Sequence, residues 1–88
     1  MKSSDIRLDK RVAIVTGAGN GIGKCMAQAM VRAGCDVVFA NVDVGAAGAA
    51  VAEVAFKPGH GNALAVPCDI TSQGDCERTV SETVRLFN

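Results

Sequence analysis

The residues with the clearest chemical use are Thr16-Gly17-Ala18-Gly19-Asn20-Gly21-Ile22-Gly23. Glycines spaced in this way let a chain reverse at positive φ. They also let backbone approach a ligand closely and let a helix pack tightly on the strand it follows. A helix starting behind such a turn has unpaired N–H groups and a positive dipole end, and a pyrophosphate is the kind of anion that fits there. The P-loop version of this physics is not met: its first glycine position is Ala18 and its metal-binding hydroxyl position is Cys25, although Gly23-Lys24 is present. The Gly-x-Gly-x-x-Gly fingerprint fails at Ile22 when started from Gly17 and at Lys24 when started from Gly19. The pattern that fits is Thr-Gly-x3-Gly-x-Gly, met by Thr16, Gly17, Gly21 and Gly23. Gly19-x-Gly21-x-Gly23 also admits a methyltransferase-like site for S-adenosylmethionine, but that reading leaves Thr16-Gly17 and Pro67-Cys68-Asp69 without a use.

The remaining reactive residue types say less. Cys25, Cys35, Cys68 and Cys76 have neither zinc-ligand nor redox-motif spacing, and read as small buried hydrophobes kept reduced. His60 stands alone in the loop Lys57-Pro-Gly-His-Gly-Asn62 and reads as a surface residue. There is no Tyr, so none of these residues can act as a phenolic acid, base or nucleophile. Nine Lys+Arg against nine Asp+Glu leave no electrostatic footprint for nucleic acid or an anionic membrane, so both are demoted as partners. The N-terminal ten residues mix both charge signs around no apolar centre, and so read as neither signal nor transit peptide. With no apolar run of membrane length, the default location is cytoplasmic.

The glycine turn needs a strand before it and a helix after it, and the apolar pattern supplies both. Arg11–Thr16 is a β-branched run suited to a strand buried on both faces. Ile22, Cys25, Met26, Ala29, Met30 and Ala33 recur at helical spacing and predict one apolar stripe, with Met26 and Met30 in the core and Gly34 as the stop. Lys24 and Arg32 read as solvated helix residues. Val37–Ala40 predicts a second strand, Gly45 to about Phe56 a second helix, and Ala63–Val66 a third strand. Ser72 and Asp75 mark a third helix start, with Cys76, Val80, Val84 and Phe87 on one face, running on to Asn88. Three strand–helix units in succession argue for parallel strands joined by right-handed crossovers, an α/β fold. Residues 1–10 read as an N-terminal arm and 11–88 as three βα units, together one domain.

With these elements in place, the chain resembles the short-chain dehydrogenase/reductase family. The residues that carry the resemblance are Val12–Gly17, Gly21-Ile-Gly23 and Pro67-Cys-Asp-Ile-Thr71, and it extends over roughly residues 8 to 88. It implies a partial Rossmann fold with three parallel strands in the order 3-2-1 and three helices, stopping before a fourth strand. It implies that Gly17, Gly21 and Gly23 are approached by the pyrophosphate of NAD or NADP, that Asn20 and Ile22 offer main-chain N–H groups, and that Thr16 braces the turn. Asp69 and Ile70 match positions that contact adenine, although Asp69 also suits a cap for the last helix. The ribose position at the end of the second strand is Asn41, with Asp43 two residues on and within reach if the turn shifts. Neither Asn20 nor Val42, where NADP users tend to place a base, is basic, which favours NAD.

The family's Ser, Tyr and Lys, with Tyr and Lys four residues apart, are not found here, and neither is its Asn-Asn-Ala-Gly segment. The resemblance thus implies the nucleotide-binding N-terminal segment of an enzyme that moves hydride between a nicotinamide cofactor and an alcohol or carbonyl, without the residues that catalyse it. It also implies an unpaired edge on the first strand and apolar helix surface without cover. The expectation is a marginal monomer that tends to self-associate and binds NAD at about millimolar strength or weaker. The alternative is a non-catalytic module that pairs with a full-length relative through that open edge.

Overall fold

The computed structural model describes residues 7–87. Most of the expected N-terminal arm, and the continuation of the last helix into Asn88, lie outside the described residues. The elements are β1 (Val12–Thr16), α1 (Gly21–Arg32), β2 (Asp36–Asn41), α2 (Val44–Ala52), β3 (Ala63–Pro67) and α3 (Gln73–Phe87). The strands form one sheet in the order β1-β2-β3, both pairs parallel, which is the expected 3-2-1 arrangement. Central β2 buries Val37, Val38, Phe39 and Ala40 in succession, as a strand covered on both faces must.

The pleat sorts the strand residues between two layers. Ala13, Val15, Val37, Phe39, Ala63 and Ala65 pack with Ala27 and Val31 of α1, Ala47 and Ala50 of α2, and Val54 just beyond it. All of these strand positions are odd-numbered, so the even-numbered side chains face the opposite layer. There α3 returns across β2 and β1 rather than staying beside β3. The chain therefore changes both side and direction after β3.

Three helix expectations are corrected. In α1 the buried residues are Ala27, Gln28 and Val31, while Ile22 and Met26 of the expected stripe are 80% and 58% exposed. Cys25 is exposed too, and only Met30 of that stripe packs against the core. Both sides of α1 carry apolar residues, and the side with the smaller ones sits closest to the sheet. In α2 the helix ends at Ala52 instead of Phe56, which has φ 61 and cannot continue a right-handed helix. Carbonyls at and just beyond its end are taken up by side chains: Gln28 Nε2 donates to Ala50 O at 2.9 Å, and His60 Nδ1 lies 2.8 Å from Val54 O. His60 is thus half-buried and fastens the loop, rather than standing free at the surface. In α3 the expected apolar face is turned outward at Val80 and Val84. Thr79 and Thr83 are buried in their place, with hydroxyls donating to Asp75 O at 2.8 Å and Thr79 O at 2.7 Å, which leaves their methyls for packing.

Two other expectations hold. Gly34 follows α1 at φ 97, and Ser72 Oγ accepts from Asp75 N at 3.2 Å at the start of α3. Among the described residues no helix is long and apolar enough to cross a membrane, and no cluster of His, Cys, Asp and Glu could hold a metal.

Candidate functional site

Strand register decides which loops meet. Thr16 pairs with Ala40, and Asn41 with Pro67, so the carboxyl ends of the three strands lie side by side. In open α/β sheets the crevice outside these ends is where ligands bind. Two main-chain bonds extend the pairing past the strands: Ala18 N donates to Ala40 O at 3.3 Å, and Cys68 N to Asn41 O at 3.0 Å. Every anticipated site residue lies in or directly beside one of the three turns gathered here. Thr16, Gly17, Asn20, Gly21, Ile22 and Gly23 are in the first, Asn41 and Asp43 in the second, and Asp69 and Ile70 in the third.

The first turn is held by backbone. Gly17 and Gly21 have φ 66 and 56, where a side chain would strain the chain, and a Cβ at either would project into open space. Gly19 and Gly23 are constrained from the other side. A Cβ at Gly23 would collide with Gly17 O and come within 2.8 Å of Gly17 C. One at Gly19 would run into the Asn41 amide and come within 2.8 Å of Ala46 Cβ. The turn is therefore closed toward the protein and open toward solvent, leaving a cradle over the start of α1. The Thr16 hydroxyl makes no hydrogen bond among the described residues; the brace is the Ala18–Ala40 bond.

The start of α1 suits an anion. Asn20 occupies its N-cap with extended backbone, and its side chain caps nothing. The first helical bond runs from Lys24 N to Asn20 O at 3.2 Å, so the N–H groups of Gly21, Ile22 and Gly23 have no main-chain acceptor among the described residues. No acidic residue lies in this first helical turn. Lys24 is half-buried and turned away to Glu53, with Nζ to Oε2 at 2.8 Å. The hydrogen bond from Lys24, then one from Gln28, holds the Glu53 carboxyl below its ordinary range.

The second and third turns carry the acids. Asn41 Nδ2 donates to Asp43 O at 3.0 Å, with the amide against Gly19. Asp43 caps α2, accepting from Ala46 N at 3.1 Å through Oδ1. Asp69 Oδ1 accepts from Thr71 Oγ1 at 2.6 Å and Thr71 N at 2.9 Å, and these two bonds hold its carboxyl below the usual range. The cap of α3 belongs to Ser72, so Asp69 organises its own turn instead. Ile70 is 65% exposed beside it, an aliphatic surface at the mouth of the crevice. None of the three turns contains Lys or Arg.

The residues missed by the sequence reading are Ala18, Gly19 and Thr71. Ala18 is fully buried and ties the first turn to β2, and Gly19 makes room for Asn41. The Asp69-x-Thr71 spacing was a signal for the third, since an Asp side chain commonly bonds the backbone two residues on.

Parallel strands, a glycine turn at the first crossover and a crevice at their carboxyl ends define a nucleotide-binding α/β domain of the doubly wound class. The chain belongs to the short-chain dehydrogenase family, whose model matches residues 11–88. It is 44% identical over 71 residues to 7alpha-hydroxysteroid dehydrogenase of Escherichia coli (strain K12), covering 81% of this chain and 27% of that one. It is 39% identical over 77 residues to sorbitol dehydrogenase of Cereibacter sphaeroides, covering 88% and 28%. A solved 7 alpha-hydroxysteroid dehydrogenase complexed with NADH and 7-oxo glycochenodeoxycholic acid superposes with a TM-score of 0.83 at 36% identity, over 97% of this chain and 32% of that one. The chain thus spans less than a third of the length of each of these three proteins.

Proposed function

We propose that residues 11–88 are the three N-terminal βα units of a dinucleotide-binding domain. The parent reaction is hydride transfer between a nicotinamide cofactor and an alcohol or carbonyl. The observation that carries this is the cradle at Gly17 and Gly21 over the uncapped start of α1. The N–H groups of Ile22 and Gly23 would take pyrophosphate oxygens, with Asn20 beside them. Asn41 would meet the adenosine ribose. The carboxylate of Asp69 would accept from the adenine amine, and Ile70 would cover the ring. When bound, the nicotinamide supplies the hydride chemistry. These 88 residues bring no Tyr to act on the substrate oxygen, so we assign them cofactor binding and no catalytic residue.

NAD is favoured over NADP because the turns that would surround a 2′-phosphate carry Asp43 and Asp69 and no base. Asp43 is occupied in capping α2, which leaves Asn41 as the ribose contact. The test is titration of labelled protein with NADH and NADPH, followed by amide resonances. The expected result is shifts at Gly17–Gly23, Asn41 and Asp69, saturating at lower NADH than NADPH. Shifts confined to other residues would remove the assignment.

A second reading rests on the open edge of β1. Val12 is 44% exposed there and shares a surface groove of about 250 Å³ with Thr83, Val84 and Phe87. Pairing through this edge with a full-length relative would make the chain an interaction module. Gel filtration of the two together should then give a mixed species, and two separate peaks would discard the idea.

A further inference from the structure

The turn that carries Asp69 and Ile70 runs from β3 into α3, and one side chain of α3 reaches back to both of its ends. Arg78 Nη2 donates to Pro67 O at 2.9 Å, and Arg78 Nη1 to Asp75 Oδ1 at 3.2 Å. Pro67 is the last residue of β3, where the chain enters the turn, and it pairs in register with Asn41 of β2. Asp75 lies in the first helical turn of α3, where the chain has left it. The other Asp75 oxygen, Oδ2, accepts from Asp69 N at 3.0 Å. The guanidinium thus joins the entry of the turn to its exit, and through Asp75 it holds the main chain of Asp69 itself. The Asp69 carboxylate is bonded only to Thr71, inside the turn, among the described residues. Those bonds shape the turn, whereas the bonds to Arg78 and Asp75 place it between β3 and α3. A planar guanidinium can hold two acceptors at once in a fixed geometry, which an ammonium cannot. The Arg78 and Asp75 side chains are 51% and 31% exposed, and an ion pair this open to water adds little to stability. Its consequence is therefore the position of the turn.

We propose that Arg78 is a positioning residue for adenine recognition. It sets the Asp69 carboxylate and Ile70 in place through Pro67 O and Asp75, and does not touch the nucleotide. The inference rests on the adenine assignment made above. It makes the choice of an amino-purine over an oxo-purine depend on a residue outside the three turns. The exocyclic amine of adenine donates a hydrogen bond, which a carboxylate accepts. The oxo group that replaces it in hypoxanthine is itself an acceptor, and meets the carboxylate with like polarity. Both effects require the carboxylate to stand at hydrogen-bond distance and angle, and both fade when the turn shifts.

The test is titration of the unsubstituted chain, Arg78→Met and Arg78→Lys with NADH and with reduced nicotinamide hypoxanthine dinucleotide, followed by amide resonances. Met keeps the apolar stem and loses the donors; Lys keeps the charge but cannot hold both acceptors. The unsubstituted chain should prefer NADH by about tenfold or more, as a hydrogen bond to a charged group allows. Both variants should lose most of that preference, with shifts at Gly17–Gly23 still seen and the melting midpoint unchanged. Without ligand, the Asp69 amide resonance should move in the variants while those of Gly17–Gly23 stay in place. A folded variant that keeps the full preference would overturn the proposal, as would one that weakens both dinucleotides by the same factor. Equal binding of the two dinucleotides by the unsubstituted chain would instead remove the adenine role of Asp69, and the role of Arg78 with it.

Discussion

Alanine at Gly23 and alanine at Gly48 should move stability in opposite directions. Both glycines lie in helices, so each substitution gains helix propensity, about 1 kcal/mol. At Gly48 nothing lies within 4 Å of the added Cβ, so the gain is kept. At Gly23 the Cβ meets Gly17 O, with Gly17 C at 2.8 Å and Thr16 O at 3.2 Å. These neighbours are backbone and cannot rotate aside. Forcing α1 off the turn carries an overpacking cost of roughly 1–3 kcal/mol, at the upper end because the obstruction is main chain. The net effect is a loss of about 1–2 kcal/mol. In a domain of this size 1 kcal/mol moves Tm by roughly 4–8 °C. Thermal unfolding followed by far-ultraviolet circular dichroism should therefore show Gly48→Ala a few degrees above the unsubstituted chain and Gly23→Ala clearly below it. NADH binding should weaken only in Gly23→Ala. A Gly23→Ala variant as stable as the unsubstituted chain would mean that the strand–helix approach is looser than described, and the close-packing account of the turn would fail.

Phe39 is fully buried in β2, and Phe39→Ala should cost about 3–5 kcal/mol, leaving the chain largely unfolded by circular dichroism at 37 °C. Gln28→Leu removes the amide that joins α1 to Ala50 O, and should lower stability by about 1 kcal/mol in urea unfolding. The Asp69 carboxyl titrates below its ordinary range because it accepts from Thr71, so its stabilisation is complete above the unfolded-state value and disappears as pH falls through the lowered folded value. The Tm advantage over Asp69→Asn should accordingly be steady near neutrality and decline in acid; an advantage that does not change as pH falls through the acid range would refute the assignment.

Strand and helix count and the glycine turn were legible because each depends on local pattern, whereas the strand order came from the resemblance to the family. A β-branched run, a cluster of glycines and a Ser72–Asp75 start all act within a few residues. The burial of α1 was not legible. Ile22, Cys25, Met26 and Ala29 attract attention as an apolar stripe, yet the sheet takes Ala27, Gln28 and Val31, because close approach favours small side chains and Gln28 finds its acceptor on α2. That acceptor is remote in sequence. The contact of Asn41 with Gly19 is hidden for the same reason, since it exists only once β1 and β2 are paired. Thr79 and Thr83 look polar in the sequence, and they are buried because their hydroxyls bond within their own helix.

The three turns at the carboxyl ends of the strands come from distant stretches of chain and become neighbours only through the parallel pairing of β1, β2 and β3. A molecule that grips all three has nothing to hold on an open chain. Its occupancy is therefore coupled to folding: at a hundredfold excess over its dissociation constant it would add about 2.7 kcal/mol to the native side. For a dinucleotide bound as proposed, the melting midpoint would then rise with its concentration.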